Sequence, residues 1–329
     1  MHKAIAAIFA LVLSAFGTSD VLSQPVVRTG YSGIGVGADD LLRVIEKERL
    51  WQRHGLDVRA VYFSNGSLLA QAILGGDVQV SDSDVPSMLN IGVSGMLDVK
   101  VIGITINRLE HSFVVRNSIR TTTELKGKRI AISRFGSASD ITTRLVVRFW
   151  KLDPDKDVII LQSGNTPSRI ASLVSGHIDA ALINPSQVYA VLGTGCCRVL
   201  ADLADLPMDY ARFGTAVSTR LLKTQRPMLR RYMEAVIDGI HAYKTHPEVV
   251  FEVYKKAGIK DPEAAKQTYE KVIKSLREDP TPDPKGVQAV LDSLPNSKAR
   301  GARAADFIDE SLVEEIKATG FIDRLYGRK

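Results

Sequence analysis

Short apolar runs alternate with amphipathic helical stretches along most of this chain, and the alternation predicts how it folds. Residues 25–30 read as a strand that leads into a glycine-rich turn, 31–37. A helix over 38–51 follows, with Leu41, Leu42 and Ile45 on its inner face. A strand at 57–63, a helix at 65–74, a strand at 78–81 and a helix at 84–93 continue the series. Strand–helix alternation of this kind argues for parallel sheets joined by crossover helices, hence an α/β fold.

The pattern repeats itself at a spacing of 100 residues. Ile73-Leu74-Gly75-Gly76-Asp77-Val78-Gln79-Val80 is echoed by Leu173-Val174-Ser175-Gly176-His177-Ile178-Asp179-Ala180. In each copy a helix ends at a glycine, the residue best suited to the left-handed C′ position. A short strand follows, then a capping residue with a nearby proline: Asp84 with Pro86, and Asn184 with Pro185. Proline in the first helical turn costs nothing, because that N–H has no helical partner. Two lobes of like topology account for the echo; chance likeness of two helix–turn–strand units is the alternative.

The second lobe opens at Leu125-Lys126-Gly127-Lys128, with a strand over 129–133 and the turn Arg134-Phe135-Gly136-Ser137. The next helix runs to Trp150, with Ser137 and Asp140 at capping-box spacing and Ile141, Leu145 and Phe149 as a buried stripe. A strand at 158–161 and a helix at 166–174 complete the echoed unit. Two extended stretches, 101–116 and 211–218, read as the places where the chain crosses between lobes and returns, with Asn107 and Phe213 as hinge or cleft positions. Residues 219–329 are mainly helical, with Thr245 and Glu248 as a capping box, Pro247 in a first helical turn and a polar loop at 279–285. This segment is expected to pack back on the first lobe. The expected division is thus 1–23 as a leader, 24–110 and 213–329 as one lobe, and 111–212 as the other.

The amino terminus bears on location. His2 and Lys3 precede an apolar run, Ala4 to Phe16, and small residues follow up to Ser23. That order is a secretory signal peptide, and its apolar core falls short of the ~20 residues a membrane span needs. Cleavage near Ser23 or Gln24, with no cysteine close by to carry a lipid, predicts a soluble exported protein. Hydrophobic residues make up 45% and charged ones 24%, the balance of a globular chain that needs no staples. The net charge of +6 is spread out without aromatic interleaving, which argues against nucleic acid as a partner. Cys196 and Cys197 are adjacent, a spacing at which a disulfide closes a tight ring, and they read as two small residues beginning a strand.

Several chemistries lack their residues. Gly33-Ile34-Gly35-Val36-Gly37-Ala38 matches a dinucleotide-binding turn, but the following strand ends Tyr62-Phe63-Ser64, and Asp57 lies at its wrong end to hold a ribose. There is no G-x-S-x-G elbow and no H-E-x-x-H helix. His54, His111, His177, His241 and His246 are scattered without metal-ligand spacing. No enzyme activity, cofactor or metal is expected.

The glycine-rich turn, Glu46-Lys47-Glu48-Arg49-Leu50-Trp51, His54-Gly55-Leu56-Asp57-Val58, Leu125-Lys126-Gly127-Lys128-Arg129-Ile130 and Ser175-Gly176-His177-Ile178-Asp179-Ala180 together resemble one exported family. It comprises the solute-binding proteins of nitrate, sulfonate and taurine ABC transporters and also thiamine-precursor binders. The resemblance spans Gln24 to Gly320. It implies a type II periplasmic-binding-protein fold, two α/β lobes around a central cleft with a two-stranded hinge. It also implies a periplasmic monomer that delivers a small-molecule ligand to a permease with its ATPase. A ligand-binding input to a sensor is the alternative partner. The reactive histidine and cysteine cluster of thiamine-precursor synthases has no counterpart.

In open α/β sheets ligands bind beyond the carboxyl ends of strands, where helix N-termini attract anions. The candidate corners are Ser32-Gly33-Ile34, Asn65-Gly66, Ser83-Asp84, Gly136-Ser137-Ala138-Ser139 and Asn184. The resemblance places second-lobe contacts at Ser137 and Ser139. Arg108 and Arg134 are the nearby cations expected to pair with a carboxylate or sulfonate. Each Ser, Asn and Asp here has a plainer role as a helix cap, and Asp82 and Asp84 would suit an amine or hydroxyl instead.

Overall fold

The computed structural model describes residues 26–32, 39–82 and 84–328. The leader, Gly33, Ile34 and Ser83 lie outside the described residues. The first run is β1 (Val26–Ser32), α1 (Asp40–Lys47), α2 (Leu50–Arg53), β2 (Asp57–Phe63), α3 (Gly66–Gly75), β3 (Val80–Asp82), α4 (Val85–Val93) and β4 (Val99–Ile106). After a crossing come β5 (Ser112–Arg116), β6 (Arg129–Ile132), α5 (Ala138–Phe149), β7 (Ile159–Gln162), α6 (Thr166–Val174), β8 (Ala180–Ile183), α7 (Pro185–Leu192) and β9 (Cys197–Asp202). The chain then returns to β10 (Phe213–Ser218) and ends in α8 (Thr219–Thr224), α9 (Arg226–Thr245), α10 (Pro247–Lys256), α11 (Pro262–Ser275), α12 (Pro284–Ser293), α13 (Ser311–Ala318) and α14 (Phe321–Leu325).

Two five-stranded sheets result, ordered β2-β1-β3-β10-β4 and β7-β6-β8-β5-β9. The orders are equivalent. In each, three parallel strands joined by crossover helices are flanked by an antiparallel strand, β10 beside β3 or β5 beside β8. Each flanking strand begins where the chain has just crossed from the other sheet. The repeat at 100-residue spacing is therefore α3–β3–α4 against α6–β8–α7.

Local departures from the sequence reading have identifiable causes. The helix expected over 38–51 is broken at Arg49, which adopts a left-handed φ of 55°. On α5, Phe149 is 43% exposed, and Ile141, Val146 and Val147 form the buried stripe instead. Thr245 caps nothing: its hydroxyl donates back to His241 O within α9, and α10 starts from His246 without a side-chain cap. Cys197 does begin β9, but the two cysteines are joined as a disulfide, contrary to the reading as two plain small residues.

The carboxy-terminal helices pack on the first sheet's side and also reach the second. α9, α10, α13 and α14 build one core with α1, α2 and β1. Val287, Val290 and Leu291 of α12 instead join an apolar cluster that runs from Leu69 and Leu89 on the first sheet's side to Ile130 and Ile141 on the second's. Across the other flank α11 meets α7 and the end of β9 through polar groups, Tyr189 with Gln267 at 2.6 Å and Lys271 with Asp202 at 3.1 Å. Among the described residues no helix is long and apolar enough to cross a membrane.

Candidate functional site

The parallel strands of both sheets deliver helices to one gap. β2 leads to α3, β3 to α4, β6 to α5, β7 to α6 and β8 to α7. The residues preceding these helices, Asn65, Asp84, Ser137, Asn165 and Asn184, all line a single cavity that opens to solvent. Five helix N-termini thus converge, each with amide hydrogens left over from its first turn.

Three of the five residues act as ordinary caps. Asn65 accepts from Leu68 N, Asp84 from Ser87 N and Asn165 from Ser168 N. The other two make no side-chain cap. Ser137 Oγ donates to Arg134 O at 2.6 Å and joins Ser133 and Ser139 in a hydroxyl cluster with separations of 2.8–3.1 Å. Asn184 hydrogen-bonds the His111 ring. The plain role as a cap therefore fits Asn65 and Asp84 but not Ser137 and Asn184.

Cavity electrostatics come from the crossings and from α6. Arg169 is buried and bonded to Leu182 O, Gly164 O and Thr166 Oγ1, with no carboxylate among these partners. Burial, and then the Arg212 charge, push its pKa down to about 10, which leaves it protonated at neutral pH. Arg212, 6% exposed, lies 4.0 Å over the Phe213 ring, and its Nε is 3.9 Å from Glu110 Oε1, too far for a hydrogen bond. Burial raises the Glu110 carboxyl to about 8, so it is protonated at neutral pH despite the lowering pull of Arg212. Desolvation, and then Arg212 and Arg169, hold His111 well below its usual range, so that ring is neutral. On the opposite wall the Asp84 carboxylate accepts from Ser32 Oγ at 3.0 Å and Ser87 N. Such a site favours an anion.

Two hydrogen bonds close over the gap. Ser67 Oγ donates to Phe135 O at 3.2 Å, and Asn90 Nδ2 to Gly136 O at 3.3 Å. Gly136 has φ of +76°, a conformation that glycine tolerates and that brings this turn against Asn90. A family model described as NMT1/THI5 like matches residues 46–249, more than half of the chain. The chain belongs to the NMT1/THI5-like family. A Brucella abortus relative named only as a binding protein is 25% identical over 70% of each chain. Among solved structures, a protein from Bordetella bronchiseptica superposes with a TM-score of 0.78 at 16% identity, covering 92% of this chain and 98% of its own. The alkanesulfonate-binding protein SsuA from Xanthomonas axonopodis pv. citri, bound to MOPS, gives 0.70 at 20% identity, covering 87% and 99%. The periplasmic nitrate-binding protein NrtA from Synechocystis gives 0.71 at 11% identity, covering 90% and 89%. At these identities the structures establish a shared fold, the periplasmic-binding-protein fold expected from the sequence.

Within this member of the NMT1/THI5-like family, Ser32, Asn65, Gly66, Asp84, Ser137, Ala138, Ser139 and Asn184 meet in the cavity as one set. Gly66 is needed there for a separate reason, since a Cβ would overlap the Asp84 carboxylate. Gly136 stands at the closing contact, outside the lining. Arg108 and Arg134 do not line the cavity; both are exposed, and Arg134 contributes its carbonyl alone. The cations that do line it, Arg169 and Arg212, were missed, as were His111, Tyr62 and Asn165. A usable signal existed for some: Glu110-His111 and Arg212 are charged or polar groups inside the two crossing stretches, where a charge is hard to expose.

Proposed function

We propose that this chain is the extracytoplasmic solute-binding component of an ABC importer, working in the periplasm as a monomer and handing its ligand to a permease with its ATPase. The ligand is a small organic anion of the carboxylate or sulfonate type, held between lobes formed by residues 24–110 with 213–329 and by residues 111–212. The observation that carries this reading is the convergence of five helix N-termini from two sheets on one cavity with two buried arginines. The names of relatives that bind alkanesulfonate and nitrate support it.

Closure works through differential affinity. A ligand that touches both walls stabilises the closed arrangement by the difference between its closed-state and open-state binding energies. The bonds from Ser67 and Asn90 to the 135–136 turn exist only when the walls approach, so they add to that difference. The apolar packing of α12 on α4 and α5 is continuous across one flank, whereas α7 and the end of β9 meet α11 through exposed polar groups. The polar flank separates at lower cost, because water replaces its hydrogen bonds.

The test is a thermal-shift screen of residues 24–329 against small organic anions, followed by small-angle scattering. A true ligand raises the melting point progressively with its concentration and compacts the protein. Ser137→Trp with Ser139→Trp should abolish both responses while the variant stays folded. Compaction that survives in that variant would remove the assignment.

A further inference from the structure

The cavity holds more positive charge than its protein partners neutralise, and most of the side chains that line it carry a hydrogen-bonding group. Arg212 and His111 are 6% and 3% exposed, yet Arg212 Nε and Nη1 and His111 Nδ1 have no hydrogen-bond partner. Leaving buried polar groups unpaired is costly, and an arginine is charged whatever its surroundings at neutral pH. Glu110, protonated at neutral pH, does not balance it. The Ser133–Ser137–Ser139 hydroxyl cluster, Asn165 and the Asp84 carboxylate line the same cavity. Ala138 and Pro167 line it without a polar side-chain group, and the Tyr62 ring carries a hydroxyl that is itself buried without a partner.

Resting on the solute-binding reading above, we propose that the ligand is a hydroxylated organic monoanion, its carboxylate or sulfonate head on Arg212 beside His111 and its hydroxyls on the serine cluster and Asp84. One negative charge suffices, because among the described residues of the lining two arginines stand with one carboxyl group, Asp84, which already accepts from Ser32 and Ser87. An inorganic anion would satisfy Arg212 and leave the serine side unfilled. An alkyl tail would bury the serine and asparagine groups against carbon, which a site made of hydrogen-bonding groups rejects strongly. A hydroxyl chain meets both halves: its donors suit Asp84, and its lone pairs suit the serine hydroxyls.

The experiment is titration calorimetry on residues 24–329 at constant ionic strength, with matched probes. Glycerate, gluconate and 2-hydroxyethanesulfonate supply hydroxyls and charge; propionate, hexanoate and ethanesulfonate lack the hydroxyls; gluconamide lacks the charge. At least one hydroxylated anion should bind, its unhydroxylated partner about 100-fold more weakly, and gluconamide at least about tenfold more weakly than gluconate. The carboxylate and sulfonate arms identify the head group. Arg212→Gln, checked as folded by circular dichroism, should lose the preference for gluconate over gluconamide, and Arg212→Lys should keep part of it. Should Arg212→Gln fail to fold, the preference measured on the unaltered chain decides. Equal binding of a neutral or unhydroxylated partner overturns the inference, as does a folded Arg212→Gln that keeps the charge preference. If such a partner also compacts the protein, the solute-binding reading stands without this inference; if no solute of any class binds, both fall.

Discussion

Gly286→Ala should loosen the junction where the lobes are tied together. Gly286 lies in the first turn of α12, and its carbonyl accepts from Ala211 N at 3.1 Å, on the returning crossing. Asn107, on the outgoing crossing, donates to Asp283, the cap of the same helix. A Cβ on Gly286 would overlap Asn107 Oδ1, lie 2.9 Å from Asn107 Cγ and stand 3.0 Å from Ala211 N. Asn107 must then swing away, forfeiting a hydrogen bond to a carboxylate worth about 1.5–3 kcal/mol. Residual overpacking adds about 1–3 kcal/mol, while the better helix propensity of alanine returns at most about 1 kcal/mol. The net loss is about 2–4 kcal/mol, or a fall in Tm on the order of 5–10 °C. Gly75→Ala is the control, because that exposed helical glycine meets nothing nearer than Asp77 Oδ2 at 3.5 Å. It should stabilise by up to about 1 kcal/mol. Thermal and urea denaturation of both variants decide the matter, and a Gly286→Ala protein as stable as the unaltered chain would refute the clamp.

Three further outcomes are expected. Burial raises the Asp82 carboxyl from 3.8 to about 6, against the lowering effect of its bonds from Thr215 and Tyr232. The folded state therefore holds this proton more tightly than the unfolded one, and the resulting stabilisation, complete below about pH 4, is lost as pH rises through 6. Asp82→Asn should gain on the unaltered protein by on the order of 2–3 kcal/mol between pH 4 and 7 in urea titrations, and parallel profiles would contradict this. Glu110 ionises near pH 8 beside Arg212, so affinity for an anionic ligand should fall above that pH, by at most about tenfold per unit. Glu110→Gln should flatten the fall, and a slope that persists would assign it elsewhere. Ser67→Ala with Asn90→Ala removes two bonds of about 0.5–1.5 kcal/mol each across the gap. Ligand release in stopped flow should accelerate roughly tenfold, and an unchanged rate would show that these contacts do not hold the closed form.

The architecture was readable because it rests on local rules. Glycine at the ends of α3 and α6, proline near the starts of α4 and α7, and apolar runs of strand length fix where elements begin and end. The stretches 101–116 and 211–218, read as extended crossings, hold β4, β5 and β10. Long-range packing was not readable. Phe149 sits at the helical spacing of a buried stripe, yet no neighbouring element covers it, and Val146 and Val147 take that place against α12. The role of α12 itself was illegible for the same reason, since nothing in Val287, Val290 and Leu291 says that two lobes share them. The corners of the site were found through caps, but cap chemistry alone does not separate Asn65, which caps, from Asn184, which turns to His111.

The two arginines escaped notice because exposure was assumed to be their default, and the fold reverses that assumption by an economical route. Arg169 is buried on carbonyls and a hydroxyl, partners that satisfy a guanidinium's hydrogens without cancelling its charge. A carboxylate in the same place would give a more comfortable ion pair and a neutral wall. Arg212 is treated likewise: the Phe213 ring covers one face, and its nearest acid, Glu110, is buried deeply enough to keep its proton at neutral pH. Both devices cost folding energy, since buried charge is tolerated poorly without a counterion. A chain that selected only for stability would have paired both arginines or replaced them with apolar groups. Retaining Arg169 without a counterion and Arg212 with unpaired nitrogens where five helix N-termini meet leaves a positive field in the cavity.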